Sequence, residues 1–265
     1  FDLGMLCYMP QIWTSDDTDA WERMKIQTGT GYGYPQSVMG CHVAASPNHQ
    51  TLRTSQLEAR FDVAAFGLLG YELDVNRLSP AERSAVAAQI AFYKENRELF
   101  QFGRLYRLAS PFAPGQGGEA CAWMVVSEDR TRALVLDAVG RIEPNSETPP
   151  LRLAGLDPAR LYRVESRPQK LDIRDFGTLL NTALPVNLNT GGLLVHAAAD
   201  RYMLSAETES YTAAGDLLLE AGLRRKARFA GTGYNDTVRV MPDYSARIYC
   251  LTALPDALPA PEQSR

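Results

Sequence analysis

Apolar residues in the first hundred positions fall into short solid runs separated by stretches with helical spacing. PQIWTS (10–15) is an apolar pair closed by polar residues, which predicts a buried strand. It leads into DTDAWERMKIQTG (17–29), where Trp21, Met24 and Lys25 or Thr28 fall at helical spacing and Gly29 closes the segment. Asp19 and Glu22 make an acidic variant of the capping box, and acids suit the positive end of a helix. YPQSVMGCHVAAS (34–46) predicts a second strand, PNHQTLRTSQLEAR (47–60) a polar loop, and FDVAAFGLLGYELDV (61–75) a third strand buried on both faces. SPAE (79–82) is a full capping box with proline in the first turn, opening a helix in which Val86, Ile90 and Tyr93 share one face until Gly103. Repeated strand–helix units of this size imply parallel strands with crossover helices.

Past Gly103 the period changes. GRLYRLASPF (103–112), ACAWMVVSEDRTRALVLDAVGRI (120–142), LRLAGLDPARLYRVES (151–166), RFAGTGYNDTVRVM (228–241) and SARIYCLTAL (245–254) are short alternating runs between Gly, Pro and Asp turns. They predict antiparallel strands, with SEDRTRA (127–133) as a hairpin turn. One helical insert is expected in SYTAAGDLLLEAGLRRK (210–226), and a Pro-rich tail at 255–261. The expected organisation is α/β followed by all-β, with residues 1–103 and 104–265 as two domains.

The length of 265 residues and a hydrophobic share of 45% allow one large core or two ordinary ones. The 27 basic and 31 acidic residues give a net charge of -4 and no basic run, which disfavours nucleic acid. The densest cationic stretch, LRRKARF (223–229), reads as a solvated face. Cys7, Cys41, Cys121 and Cys250 lie far apart without metal-ligand spacing, so free thiols, a reducing cytoplasmic setting and no metal or other cofactor are expected. No apolar run reaches the roughly 18 to 20 residues that span a bilayer. Phe1 stands inside an apolar stretch and reads as the cut edge of a longer chain.

Asp16, Asp17 and Asp19 crowd the turn between the first strand and its helix, at the strand end where open α/β sheets and barrels build their sites. Three readings stand: helix capping, a divalent-metal loop, and a general acid or nucleophile shaped by its neighbours. D-D-x-D without a following Gly turn and a distal Glu is not an EF-hand. Mutual repulsion in such a trio is expected to raise the pKa of one member, and a carboxylic acid kept protonated is what glycoside hydrolysis needs. Trp13 offers either a core ring or a flat face for a sugar. Asn48 and His49 fall on the same rim, as sugar contacts or as loop braces, while His42 reads as a core histidine and His196 has no visible partner. GTGY (231–234) lacks the lysine of a phosphate loop and reads as a β-turn.

Residues 1–50, with WTSDDTDA (13–20) at their centre, resemble the later part of the catalytic barrel of glycoside hydrolase family 36, the microbial α-galactosidases. FGLLGYELD is similar to the family's next barrel strand, and SPFAPGQGGEACAWMVVSEDRTRALV and FAGTGYNDTVRVMPDYSARIY resemble its C-terminal β-domain. The resemblance implies the last strands of a (β/α)8 TIM barrel followed by an antiparallel β-sandwich. It also implies a retaining α-galactosidase acting on melibiose and raffinose-type oligosaccharides, and a homotetramer. The W-x-S-D motif places the acid/base on Asp16, with Asp17, Thr18 and Asp19 as turn and cap residues and Trp13, Asp17, Asn48 and His49 as candidate substrate contacts. The family's nucleophile motif, K-W-D, does not occur in these 265 residues, so they are expected to be inactive alone. An α-N-acetylgalactosaminidase or a raffinose-synthase-like transferase is the alternative enzyme, and a carbohydrate-binding or oligomerisation β-module the alternative without catalysis.

Overall fold

The computed structural model describes residues 2–113, 119–142, 148–183, 187–228, 238–239 and 242–255. Three strands, β1 (Ile12–Trp13), β2 (Met39–Ala44) and β3 (Leu68–Glu72), pair in parallel in that order. Helices α1 (Ala20–Thr30), α2 (Leu57–Ala64) and α3 (Pro80–Phe102) follow them in turn. This is the strand–helix alternation of a (β/α)8 barrel, with β1 and β3 as its edges here. The Ser79–Glu82 capping box forms in both directions, Ser79 Oγ accepting from the Glu82 amide at 3.2 Å and Glu82 Oε2 from the Ser79 amide at 2.8 Å.

Two expectations in this half change. β1 keeps only two paired residues of the predicted run. The segment 61–75 is not one strand: Phe61–Ala64 complete α2, a helix that begins inside the expected polar loop, and only Leu68–Glu72 pair. Seven of the eight α2 residues, Glu58 and Asp62 among them, are buried. A helix covered on every side shows no amphipathic stripe, and a short apolar run then reads equally well as a strand.

The second half contains β4 (Arg104–Ala109), β5 (Ala120–Val126), β6 (Arg132–Val139), β7 (Leu161–Ser166), β8 (Lys170–Leu171), α4 (Leu180–Ala183), α5 (Leu193–Ala199), β9 (Leu204–Ser205), β10 (Ser210–Ala214), α6 (Gly215–Glu220), β11 (Ala227–Arg228), β12 (Val238–Arg239) and β13 (Ser245–Ala253). Six of these form one antiparallel sheet in the order β10-β7-β13-β6-β5-β4, while β8–β9 and β11–β12 are two-residue pairs. SEDRTRA does turn the β5–β6 hairpin. The expected helical insert shrinks to α6. Ser210–Ala214 are drawn into the sheet against β7, and Gly222, at φ +96°, turns the chain after the helix. The expected turn at GTGY and almost all of the Pro-rich tail lie outside the described residues.

One core serves both halves. Met24 of α1, Phe61 of α2, Phe100 of α3 and the β2 side chains Met39, Cys41 and Val43 pack with Trp123, Val125, Leu134, Leu136 and Ile248 of the large sheet. Phe66 sits between Phe100 and Trp123, with ring centroids 5.1 and 5.7 Å away. The sheet's other face holds Met124, Val135, Tyr162, Val164, Tyr249 and Leu251 under Leu151, Leu153, Leu156, Leu218 and Leu223. Covered on both faces, β5 and β6 are buried almost continuously instead of alternating, while β7 alternates as predicted. Nor is the cationic stretch a bare solvated face: Arg225 Nη1 reaches the buried Asp137 carboxylate of β6 at 2.7 Å, and Lys226 pairs with Glu207.

Arg167, just past β7, locks the halves together. Its guanidinium lies 2.6 Å from Glu58 Oε2 and 2.8 Å from Asp62 Oδ1, both on α2, and stacks on Phe61 at 4.8 Å. Gln169 adds a donor to Asp62 Oδ2 at 2.6 Å. All four polar side chains are buried, so the charges of Arg167, Glu58 and Asp62 depend on one another.

Candidate active site

Because β1, β2 and β3 run parallel, the segments leaving them, 14–19, 45–56 and 73–79, gather at one end of the sheet. Alternation divides β2: Met39, Cys41 and Val43 enter the core, while Gly40 and His42 face the opposite side. Trp13, in register with Gly40, shares that side. Two glycines give the rings their space. A Cβ on Gly40 would stand 3.2 Å from Trp13 Cδ1, and one on Gly70, opposite His42, would stand 2.6 Å from His42 Cδ2. The Trp13 and His42 rings meet edge to face at 4.7 Å.

Trp13 is 62% exposed, which overturns the core reading of this ring. His42 is not a sealed core histidine either: it is partly buried, with Nδ1 3.4 Å from Glu72 Oε2 at the end of β3. Burial lowers the His42 pKa, Glu72 pulls it upward and Arg23 lowers it further, with a net fall. The imidazole is therefore predominantly neutral at pH 7.

The three aspartates part company. Asp19 is the N-cap of α1, its Oδ1 accepting from the Trp21 and Glu22 amides at 3.0 and 3.1 Å. It also pairs with Arg53 and takes a hydrogen bond from Thr51 Oγ1 at 2.9 Å on Oδ2. Asp17 Oδ1 accepts from the Asp19 amide at 3.0 Å, and the Asp17 amide donates to Ser15 Oγ at 3.1 Å. Thr18, buried, accepts from Asn48 Nδ2 at 3.2 Å. Asp16 alone is exposed and has no hydrogen-bond or ion-pair partner among the described residues. The expected mutual repulsion of the trio loses one member, because Arg53 neutralises Asp19.

The loop after β2 braces this turn. Asn48 is buried, its Oδ1 accepting from the Gln50 and Thr51 amides at 2.9 and 3.1 Å while its Nδ2 serves Thr18. Both ends of its amide are thus engaged by protein, whereas His49 beside it is exposed. From below, the buried Arg23 of α1 donates to the carbonyls of Ser15 at 3.3 Å and Gly40 at 2.8 Å. Arg23, Thr51, Arg53, Glu72 and Tyr244 escaped the sequence reading. Arg23 left a trace, since Asp19, Arg23 and Gln27 recur every four residues as polar side chains on the buried face of α1. Arg53 and Tyr244 left none, being brought in by tertiary contacts. His196 is exposed on α5, far in sequence from this rim. Among the described residues no group of three His, Cys, Asp or Glu could hold a metal ion.

Comparisons with known proteins match this architecture. Residues 1–103 fit the melibiase family model and residues 120–251 the model of the glycosyl hydrolase family 36 C-terminal domain. The α-galactosidase AgaA of Geobacillus stearothermophilus is 52% identical over 165 residues, covering 62% of this chain and 22% of that protein. An AgaA variant crystallised with raffinose superposes at a TM-score of 0.69, with 37% identity over 96% of this chain and 27% of the other. An α-galactosidase structure from Lactobacillus brevis gives a TM-score of 0.72 at 35% identity, covering 98% of this chain and 28% of that one. The chain thus spans about a fifth of the length of the curated relatives it matches.

Proposed function

Since the chain belongs to glycosyl hydrolase family 36, we propose that it supplies the end of the catalytic barrel and the C-terminal domain of a retaining α-galactosidase, with Asp16 as its acid/base. One observation carries the assignment of Asp16. Of three aspartates in one turn, Asp17 and Asp19 accept hydrogen bonds from the protein, and the third stands exposed and without a partner among the described residues, at the C-terminal rim of the parallel strands. A carboxyl group in that state can give a proton to a departing glycosidic oxygen and later take one from water. The galactosyl group would be carried meanwhile on a second carboxylate, which the W-x-S-D strand does not supply and the remainder of a full-length enzyme would. Trp13 offers its exposed face to the sugar, and His42 and Glu72 line the same side of the sheet. The proposed substrates are melibiose and raffinose-type α-galactosides, in keeping with the raffinose bound to the AgaA variant. Two domains meeting near residue 104, a homotetramer and a cytoplasmic setting, consistent with four free cysteines, belong to the same proposal.

The test uses a polypeptide that joins these residues to the upstream barrel. Asp16→Asn should lower turnover of melibiose by about 10²–10⁴-fold, the range for loss of a general acid. Full melibiose turnover in that variant, measured as galactose release, would remove Asp16 from the mechanism.

A further inference from the structure

Asp16 owes its position to groups outside its own turn. We propose that Arg53 is a positioning residue for Asp16, and that Tyr244 of the β half holds Arg53 in place; this rests on the reading of Asp16 as the acid/base. Arg53 pairs with Asp19, whose side chain is fully buried, and lies 3.5 Å from Glu22 Oε1. Burial works against the Arg53 charge, but Asp19, Tyr244 and Glu22 outweigh it and raise its pKa. The guanidinium then stacks on the Tyr244 ring at 4.5 Å. The same ring meets Trp21, in the first turn of α1, edge-on at 6.2 Å.

Tyr244 is itself held in an uncommon shape. It adopts φ +56°, which a bulky side chain rarely does, while its amide donates to the Gly140 carbonyl at 2.8 Å. The backbone therefore accepts a strained residue where the β half reaches the α1 N-terminus. From there the chain of contacts runs Tyr244 to Arg53, Arg53 to Asp19, and the Asp19 amide to Asp17, the residue next to Asp16. Ser15, on the other flank, is held by Arg23. Asp16 is thus fixed through its neighbours while its own carboxyl group stays free to exchange a proton. A small displacement of a catalytic group can cost about 10²-fold in rate. Arg53 should therefore govern catalysis without touching substrate.

The experiment compares kcat/KM for melibiose, whose leaving group needs a proton, with that for 2,4-dinitrophenyl α-galactoside, whose leaving group needs none. It uses the polypeptide extended through the upstream barrel. Arg53→Ala should lower the melibiose value by about tenfold or more and the dinitrophenyl value by no more than about twofold, short of the full misplacement penalty. Arg53→Lys should recover most of the melibiose value. Tyr244→Leu, which keeps the Arg53–Asp19 pair, should show the same selectivity at smaller size and serves if Arg53→Ala does not fold. Equal losses on both substrates, or none, in the folded variants would overturn the proposal. Asp16→Ala separates the two ideas. If it shows no leaving-group dependence, the acid/base reading fails; if it does and the Arg53 and Tyr244 variants do not, only the positioning role fails.

Discussion

Three aspartates within four positions share one chemistry and take different roles because of what surrounds each. Asp19 meets two helix amides, a threonine hydroxyl and a guanidinium, so it is buried with both carboxylate oxygens engaged. Asp16, three residues earlier, meets none of these. The difference is measurable as stability. Asp19→Ala removes a cap and leaves Arg53 without its main counter-ion, and should cost about 3 kcal/mol in urea unfolding. Asp19→Asn keeps an oxygen for the α1 amides and should cost less, whereas Asp16→Asn should leave stability within about 0.5 kcal/mol, as for an exposed side chain. At this scale the WTSDDTDA segment was legible as a helix start, which Asp19 caps, and as the candidate site proposed above. Which aspartate did which job could be assigned only by resemblance, since the amides and cations that sort them come from α1 and the β2 loop.

Elements with a strong local signal formed where their patterns placed them. α3 has a two-way capping box, a proline in its first turn and a terminating glycine, and it extends 23 residues from Pro80 to Phe102. β7 alternates buried and exposed residues without a break. The misread element, α2, has neither a side-chain cap nor a stripe, because both neighbouring layers cover it. Its existence depends on packing more than on propensity. α3 makes its own contribution to that packing through Phe100, fully buried, stacked on Tyr93 at 5.7 Å and meeting Phe66 at 5.1 Å. Phe100→Ala should destabilise the protein by about 3–5 kcal/mol, since the cavity opens where both halves share one core. Ser79→Ala, read by the same urea titration, should cost only about 1 kcal/mol.

At the scale of the whole molecule, α2 is tied to the β half by ions as well as by apolar contact. Two buried carboxylates, Glu58 and Asp62, share Arg167. Burial pushes the Asp62 carboxyl up most, Arg167 pulls it down and Glu58 pushes it up again, which together leave it at about 7. A carboxyl whose folded pKa lies above its unfolded value binds its proton more tightly when folded. Its contribution to stability is full below the unfolded value near 4 and is lost as pH rises toward 7. Asp62→Asn should therefore flatten the fall in stability between pH 4 and 7, a difference visible in thermal unfolding at pH 5 and pH 7.5. A slope unchanged by the substitution would mean that another group controls it.

What the chain determined locally is the change of period near Gly103, the caps of α1 and α3, the β5–β6 hairpin and the acidic turn after β1. Each is set by interactions among residues a few positions apart, which a linear pattern records. Tertiary structure decided the rest: the helical state of 57–64, the merging of both halves into one core, and the recruitment of Arg53 and Tyr244 around Asp19. Those outcomes depend on burial and on charges that meet across 34 residues for Arg53 and Asp19, and 109 for Arg167 and Glu58. Water hides such partners from one another until folding removes it, so no local spacing could announce them.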